Sequence, residues 1–408
     1  MAMKQTQTKL FDFSDVGLDF CAGSKTLFPD RFKRMLALGY NEQTVVSVVV
    51  AGNQVTFTYG GAHRYVADRV LKIDSGSLSL INKGEFWIDS VTTNTVTMSI
   101  DDVPSSIIGG FTTRIAPLGW ELVYELANIH IYKFKALDES DLYLRLCFQD
   151  AAALRNCISP CVGRSADLAS GAITDVNALV ENKSILSPGN GFKWDLQERA
   201  TATYNNYTYS QGVSSFGVAC VVGSQYHFVL MANTGSAAGY GVLSAILPAI
   251  TFNAAALDYP LMLGNRYGNI NGNNNGNMLS SAEAYVGSVS VTFQPSNGNS
   301  STPYNFIDAR PQASNSFLPA NIEPFNTTTA EPIPLYVKGN GQIVGYTTGM
   351  YKAKYASSST PAMTSSGSPS STTDIDLSVN IKLHYMSDAS IGAYATFYAV
   401  PIEEIKIA

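Results

Sequence analysis

Three cysteines that lie close together in the sequence are the first residues whose type and spacing could bind a metal ion. Cys157 and Cys161 flank a short Ile-Ser-Pro segment, and Cys147 precedes them. A structural zinc site usually needs two ligand pairs at close spacing, and the sequence offers no second pair. The 5 cysteines form an odd, sparse set, which favours reduced thiols in a protein made in a cytosol over a disulfide framework. We therefore predict no metal-binding residues, and we expect Cys220, inside an apolar run, in the core.

The histidines could act as general bases or metal ligands, but each stands alone. All lie in β-type segments, and no two of them have the spacing of a metal-binding pair: His63, His130, His227 and His384. A lone histidine in a strand is more often a polar-face or hydrogen-bonded core residue than a catalytic base. We expect the histidines to be structural.

Two acidic clusters are the candidates for hydrolytic chemistry. Two carboxyl groups that face each other across a cleft can hydrolyse a glycosidic bond. The first cluster, Asp138-Glu139-Ser140-Asp141, lies between two predicted strands, and the second, Glu403-Glu404, lies close to the chain end. Both positions favour solvated loop charge over acid–base catalysis. We predict no catalytic residues.

Two glycine-rich segments could bind a nucleotide or an ion through backbone groups. The segment Gly339-Asn340-Gly341-Gln342-Ile343-Val344-Gly345 differs in spacing from a dinucleotide-binding loop, and a strand rather than a helix is predicted after it. The Asn- and Gly-rich loop at 264–277 could hold a cation, but a calcium site needs several carboxylates and only Asp258 precedes the loop closely. The sequence also lacks a phosphate-binding P-loop, a nucleophile elbow and a His-Glu-x-x-His pair. We predict no cofactor-binding residues.

The chain has few charged residues and many residues with hydroxyl or amide side chains. Charged residues make up 14% of the 408 residues, against about 25% in an average soluble protein. The chain has 22 tyrosines, and tyrosine is enriched in protein interfaces because its ring packs while its hydroxyl finds a partner. We expect much of the surface to contact other subunits. The alternative is that β-rich proteins simply favour Thr, Tyr and Ser.

Net charge and hydropathy argue against several classes of partner. The net charge is −6 and there is no Lys/Arg cluster, so nucleic acid is not expected as the main partner. No run of roughly 18 to 20 apolar residues could cross a bilayer. The start of the chain lacks the apolar core of a secretory signal. We predict no membrane-spanning segment and no secretion.

Two predicted hairpins organise the first part of the chain. One pairs residues 44–50 with 55–59, and the other pairs 85–91 with 95–100 across a Thr-Thr-Asn turn. In the last of these strands, apolar and hydroxyl residues alternate, which is typical of a half-buried strand. The run 142–149 alternates in the same way, and its second face is polar.

The rest of the chain contains fewer clear signals. The apolar clustering of residues 1–20 predicts an arm that docks on its own subunit or on a neighbour, and Pro near its start and Gly at its end predict a helix at 29–39. We expect mostly irregular structure at 157–200, apart from a turn or two of helix after Thr174, and a β-region at 204–252. Further on we expect a Pro-rich extended stretch at 303–334, a loop at 357–373, and strands near 335–337, 342–355, 375–385 and 393–400.

The predicted fold class is mainly β, with several β-sandwich or β-barrel modules, a few short helices and long loops. No fixed-period repeat supports a solenoid or a propeller. Turn signals and shifts in composition divide the chain into an N-terminal arm and short helix (1–43), a small β-module that can be read as an insertion (44–104), a β-hairpin region with short helices (105–200), a β-domain with an Asn/Gly-rich loop (201–300), and an extended Pro-rich stretch with a C-terminal β-domain (301–408).

The tandem hairpins resemble the small β-modules of tailed-bacteriophage virion proteins. The resemblance lies in Val48-Val49-Val50-Ala51-Gly52-Asn53-Gln54-Val55-Thr56-Phe57 and in residues 86–97, and it continues through 119–125 and 129–149. The later Asn-Gly loops, Pro-rich stretches and sparse charge are similar to tail and baseplate components. The resemblance implies a structural subunit of the virion, assembled in the host cytoplasm about a three-fold or six-fold axis, with no catalytic residues.

Three hypotheses for function follow. The leading one is a non-enzymatic virion subunit that binds copies of itself and neighbouring tail or baseplate proteins. The second is a receptor- or glycan-binding tail-tip protein, in which aromatic residues near the 264–277 loop, such as Tyr267, stack on sugars. The third is a polysaccharide-degrading enzyme, which would need a cleft with two acidic residues at hydrolytic spacing.

Overall fold

The chain folds mainly into β-strands, as predicted. The computed structural model describes residues 8–151, 154, 156–189, 191–196, 206–233, 241–252, 254–265, 282–293, 329–354, 368–374, 379–387 and 395–402. Large antiparallel sheets carry most of this part of the chain, and they are sandwich-like. Within these ranges no sheet closes into a barrel.

The first half of the described chain contains one short α-helix and many strands. The helix α1 continues directly into a π-helical turn at Arg34–Leu38. In chain order the elements are β1 Lys9–Asp12, α1 Phe28–Lys33, β2 Tyr40–Ala51, β3 Gln54–Tyr59, β4 Val70–Ile73, β5 Glu85–Trp87, β6 Ser90–Val91, β7 Thr95–Ser99, β8 Thr112–Ile115, β9 Glu121–Leu126, β10 Ile129–Lys135, β11 Asp141–Phe148, β12 Cys157–Gly163, β13 Ala166–Asp167, β14 Ala172–Ile173 and β15 Trp194–Asp195.

The second half of the described chain begins with a second helix and is otherwise built from strands. Short 3-10 turns occur in both halves, at Lys25–Leu27, Ser77–Leu80, Asn82–Gly84, Val180–Asn182 and Ala255–Leu257. The elements are α2 Tyr209–Phe216, β16 Cys220–Gly223, β17 Phe228–Asn233, β18 Gly241–Leu247, β19 Ala249–Thr251, β20 Leu261–Asn265, β21 Ala282–Val286, β22 Val289–Thr292, β23 Thr329–Val337, β24 Ile343–Lys354, β25 Ser370–Asp374, β26 Val379–Ser387 and β27 Ala395–Pro401.

The described strands form four sheets. The largest has 13 strands in the order β1-β16-β17-β18-β20-β21-β22-β23-β24-β27-β26-β25, and β19 pairs with β24 beside this path. A 7-stranded sheet has the order β5-β4-β8-β2-β3-β7-β6, a 5-stranded sheet has the order β15-β12-β11-β10-β9, and β13 pairs with β14. Most neighbours in the 13-stranded and 5-stranded sheets are also close in sequence, which is the usual outcome when short connections join antiparallel strands.

Both predicted hairpins form within the 7-stranded sheet, but one of their strands is divided. β2 pairs with β3, and β7 lies between β3 and β6. The single strand predicted at 85–91 is wrong, because β5 pairs with β4 whereas β6 pairs with β7. Ile88 lies between these two short strands with its side chain fully buried, and its N–H donates to the Arg69 carbonyl at 2.9 Å. The segment therefore changes partner halfway along.

The helix predicted at 29–39 is confirmed, with a wider last turn. It ends at Gly39, whose φ of 77° lies in the left-handed region that favours glycine. Its apolar face enters the core through Phe32. The Phe32 ring centroid lies 5.5 Å from that of Phe148 and 5.6 Å from that of Phe228.

The N-terminal arm, at its described residues, docks on its own chain. β1 pairs with β16, and Phe11 and Phe13 are fully buried. Asp15 forms an ion pair with Arg69 through two bonds, Nε to Oδ2 at 2.8 Å and Nη2 to Oδ1 at 2.9 Å. The Tyr40 hydroxyl donates to the same carboxylate at 2.7 Å. The arm is thus tied to the 7-stranded sheet of the same subunit.

The prediction of irregular structure at 157–200 is wrong at its start. β12 is buried and pairs with β11 from Ile158 to Gly163. The carbonyl of Pro160 accepts a bond from Asn182 Nδ2 at 2.8 Å, on the side facing away from β11. The ring nitrogen of Pro160, which carries no hydrogen, faces that same side of the strand. On this side β15 pairs with only the first two residues of β12. Proline is tolerated because no ladder bond is needed at this position.

The β-region predicted at 204–252 is wrong between 209 and 216, where the helix α2 forms. Thr208 caps the helix by accepting a bond from the Gln211 N–H at 3.4 Å, and the Gln211 side chain accepts from the Thr208 N–H at 3.0 Å. This reciprocal capping box starts the helix, and Gly217, with a φ of 65°, follows its last residue. β16 and β17 are buried at every residue, as predicted from their continuous apolar runs, and β18 is also buried throughout.

Several predicted loops lie largely outside the described residues. Of the 264–277 loop only 264 and 265 are described, and they end β20; of the 303–334 stretch only the start of β23 is described. The loop predicted at 357–373 is wrong at its end, because β25 pairs there with β26. The later strands are confirmed where they are described, as β23, β24, β26 and β27. The domain boundaries stay predictions.

Candidate interaction surface

The cysteines considered for metal binding belong to the buried interior of the 5-stranded sheet. Cys147 on β11 and both Cys157 and Cys161 on β12 lie on one face, and none forms a disulfide. Burial raises the pKa of Cys147 to about 11 and the pKa of Cys161 to about 12, so both are thiols at neutral pH. A metal ligand must be the thiolate. Across the described residues, no group of three or more His, Cys, Asp or Glu could hold a metal ion.

Arg145 on β11 lies on the same sheet face as these cysteines and binds the segment that covers it. Its guanidinium is buried and donates to the carbonyls of Gly171, Asn182 and Ile185, at 2.7, 3.4 and 2.5 Å. These bonds hold the segment around residues 171–185 onto the sheet. The second face of β11 is polar, as predicted, but it is covered by this segment instead of by water.

The histidines are buried within the fold. Their side chains are almost inaccessible to solvent: His63, His130, His227 and His384. His384 Nδ1 lies 2.8 Å from Ser368 Oγ, and its Nε2 lies 2.9 Å from the Val242 carbonyl. Burial lowers the pKa of His130, His227 and His384 to about 4, so they are neutral at pH 7. A general base needs contact with substrate and a pKa near the working pH, and these histidines have neither.

Acidification is expected to destabilise the fold through His384. Its pKa falls from 6.5 to about 4 on burial, so at intermediate pH the unfolded chain binds a proton that the folded chain does not. The stability contributed by the neutral ring is present above pH 6.5 and is lost as the pH falls towards 4. We expect a loss of about 2 kcal/mol between pH 7 and pH 5 from this residue. Urea denaturation of His384→Gln, which cannot titrate, should show a smaller loss by about that amount, and an equal loss in both proteins would contradict the prediction.

The structure brings the acidic loop at 138–141 and Asp258 together around Arg164. The loop joins β10 to β11, and Arg164 follows β12. Arg164 Nη1 donates to Ser140 Oγ at 3.1 Å, and Nη2 donates to Asp258 Oδ2 at 2.5 Å. The Ser140 hydroxyl donates to Asp138 Oδ1 at 2.6 Å, and this bond holds the pKa of Asp138 below its ordinary value. A glycosidase acid needs a raised pKa, so Asp138 is not suited to that role.

A pocket of about 140 Å³ opens beside Arg164. The guanidinium carbon of Arg164 lies 5.6 Å from the centroid of the Tyr259 ring. The Tyr259 hydroxyl donates to Asp175 Oδ2 at 2.8 Å, and the same oxygen accepts from the Arg164 backbone N–H at 2.6 Å. Arg164 is therefore fixed at both its backbone and its guanidinium. The other walls are both apolar and polar and include Lys135, Leu137, Leu142, Tyr226, Pro248 and Pro260.

An exposed apolar surface adjoins this pocket. Ile250 on β19 and Phe252, which continues the strand, are each 59% exposed, and Tyr346 opposite Ile250 on β24 is 45% exposed. Alternate residues of a strand share a face, so these side chains form one surface, the edge patch. Among the described strands, β19 pairs only with β24. Ala249 and Asp258 line both the pocket and the groove beside β19, so pocket and edge patch are contiguous.

The remaining candidates from the sequence contribute nothing to this surface. The 339–345 segment begins in the turn between β23 and β24 and runs into β24 from Ile343, so it leads into a strand, as predicted. Glu403-Glu404 and Tyr267 lie outside the described residues.

Sequence reasoning missed both features of the surface. Asp258, the 138–141 loop and Arg164 are far apart in the sequence. No local pattern indicates that these three parts of the chain meet in the fold. The alternation of Ile250 and Phe252 was available as a strand signal, but alternation alone does not show that a face is exposed.

Comparison of the chain with protein-family models, with curated proteins and with solved structures finds no match. No helix in the described ranges is long and apolar enough to span a membrane.

Proposed function

We propose that this chain is a non-enzymatic structural subunit of a tailed-bacteriophage virion, located in the tail or baseplate, that binds copies of itself and neighbouring tail proteins. The virion assignment rests on the resemblance of residues 48–57 and 86–97 to virion β-modules. The assembly role is supported chiefly by one observation, the exposed edge patch on β19. The buried, neutral histidines and thiols are consistent with a non-enzymatic role.

Burial of the edge patch would supply the driving force for assembly. Removing the side chain of Ile250 or Phe252 from water is worth about 1.5–3 kcal/mol when the burial is complete. Scattered exposed aliphatic residues are ordinary, whereas a contiguous apolar patch rimmed by polar residues is typical of an interaction site. Arg164 and Tyr226 at the neighbouring pocket are of the residue types that dominate binding energy in interfaces.

The position of the patch on a strand edge also favours assembly. A strand from a neighbouring molecule could add backbone hydrogen bonds to β19 while its side chains cover Ile250 and Phe252. Closure about a three-fold or six-fold axis would cover this edge in every copy, because a ring leaves no terminal subunit.

Light scattering on wild type and on Phe252→Asp tests the assembly role. We expect the wild-type protein to have a mass that is a multiple of 43.8 kDa. The aspartate places a charge in the apolar contact, so we expect association to weaken by at least about 30-fold, the effect of losing 2 kcal/mol. The matched control is Leu80→Asp, since Leu80 is 87% exposed in the connection between β4 and β5, and this change should leave the mass unaltered.

Two results would count against the proposal. A wild-type protein that remains at 43.8 kDa at every concentration would contradict self-assembly, and equal dissociation by Phe252→Asp and Leu80→Asp would contradict the role of the edge patch. The virion assignment has a separate test: mass spectrometry of purified particles should detect the chain in stoichiometric amounts, and its absence from them would refute that part.

A further inference from the structure

We propose that the pocket beside Arg164 binds one residue of a neutral saccharide. This site goes beyond the assembly role. The pocket, of about 140 Å³, is smaller than the roughly 300–1,000 Å³ that encloses a drug-sized ligand. It therefore fits a single ring at the end of a longer molecule.

The two cationic groups of the pocket lining are already compensated within the protein. Arg164 Nη2 lies 2.5 Å from Asp258 Oδ2, and Lys135 Nζ lies 2.7 Å from Asp141 Oδ1. An anionic ligand would have to break one of these ion pairs to find a cationic partner. A hydroxyl group can bond to the remaining hydrogen-bonding capacity of a paired guanidinium or carboxylate, because it both donates and accepts. The pocket chemistry thus favours a neutral polyol.

Asp138 gives the pocket a fixed acceptor for hydroxyl groups. Its Oδ1 accepts bonds from the Ser140 N–H at 3.0 Å and from the Ser140 hydroxyl at 2.6 Å. These bonds hold the carboxylate in one orientation, and hydrogen bonds to an ionised acceptor are about twice as strong as those between neutral groups. Glu139 next to it accepts a bond from the Tyr226 hydroxyl, which anchors that side chain at the pocket wall.

The apolar part of the lining suits the C–H faces of a sugar ring. Leu137, Leu142, Pro248 and Pro260 contribute it. Since carboxylates outnumber cationic groups around the pocket, an acidic sugar would be repelled.

A glycan array followed by titration calorimetry tests the site with the full chain. The array carries oligosaccharides ending in neutral hexoses and N-acetylhexosamines, together with acidic and amino-sugar termini. The pocket adjoins the edge patch, so assembly could change access to it. The array is therefore probed with both wild type and the dissociated Phe252→Asp protein, and we expect at least one of them to bind neutral termini. Asp138→Ala should weaken that binding at least tenfold.

Asp167→Ala provides the matched control. Asp167 is an exposed aspartate that accepts bonds from the Ala169 N–H at 2.9 Å and the Ser170 hydroxyl at 2.6 Å, much as Asp138 does with Ser140, but it lies on the β13–β14 hairpin. The Asp167→Ala protein should bind the glycan like wild type. Neither aspartate substitution should alter the mass of the protein measured by light scattering. The saccharide site would be refuted if neither protein binds neutral termini, if only acidic or amino sugars bind, or if both aspartate variants lose binding equally.

Discussion

Asp15→Ala is expected to lower the free energy of unfolding by about 3–5 kcal/mol, because it breaks a buried ion pair. The side chains of Asp15 and Arg69 are only 6% and 8% exposed, so removal of the carboxylate leaves the guanidinium charge buried without a counter-ion. The Tyr40 hydroxyl loses its acceptor at the same time. Urea denaturation followed by circular dichroism measures the change.

Asp30→Ala is the control for this prediction. Asp30 also pairs with an arginine, Arg34 Nε at 2.9 Å, but its side chain is 42% exposed. An exposed pair of this kind contributes about 0–1 kcal/mol. Replacing both buried partners by apolar residues, Asp15→Leu with Arg69→Met, should recover most of the lost stability. If Asp15→Ala costs no more than Asp30→Ala, the arm is not tied to the 7-stranded sheet in the way described.

Trp194→Ala is expected to cost about 3–5 kcal/mol, because it removes the largest fully buried side chain. Trp194 on β15 stacks on Phe228, with ring centroids 5.5 Å apart and planes inclined by 13°. Its indole N–H donates to the Leu263 carbonyl on β20 at 2.9 Å. The residue therefore links the 5-stranded sheet to the 13-stranded sheet.

Trp194→Phe separates packing from hydrogen bonding. It keeps an aromatic ring against Phe228 but leaves the Leu263 carbonyl without its donor, so we expect a loss of about 1–3 kcal/mol. Measured in the same urea series, the order of stability should be wild type, Trp194→Phe, Trp194→Ala. A Trp194→Ala protein within 1 kcal/mol of wild type would show that the two sheets do not depend on this contact.

Local periodicity in the sequence was sufficient to predict much of the fold. In β7, Val96 and Met98 are buried, while the hydroxyl residues that alternate with them are half-buried, because successive side chains of a strand point to opposite faces. The helix ending at Gly39 was equally predictable, since its stop signal is a single residue with a positive φ.

The errors arose where a long-range contact decides the local structure. Pro160 lies inside a strand because its unpaired side faces Asn182 and not another strand, a fact that no local pattern contains. The capping box of Thr208 and Gln211 is a helix-start signal, but the longer apolar runs after it indicate strands, and the prediction followed those runs. The pocket around Arg164 unites the loop after β10, the residue that follows β12 and the segment before β20, so only the folded chain brings them together.

The assembly role requires that other protein molecules cover the edge patch. Hydroxyl-radical footprinting read by mass spectrometry tests it directly, since it reports side-chain access in solution. We predict that Phe252 and Tyr346 are oxidised several-fold more slowly in concentrated protein or in particles than in dilute protein, while the exposed Leu80 and Ile108 react equally in all samples. Equal oxidation of Phe252 and Tyr346 at every concentration and in particles would contradict the claim.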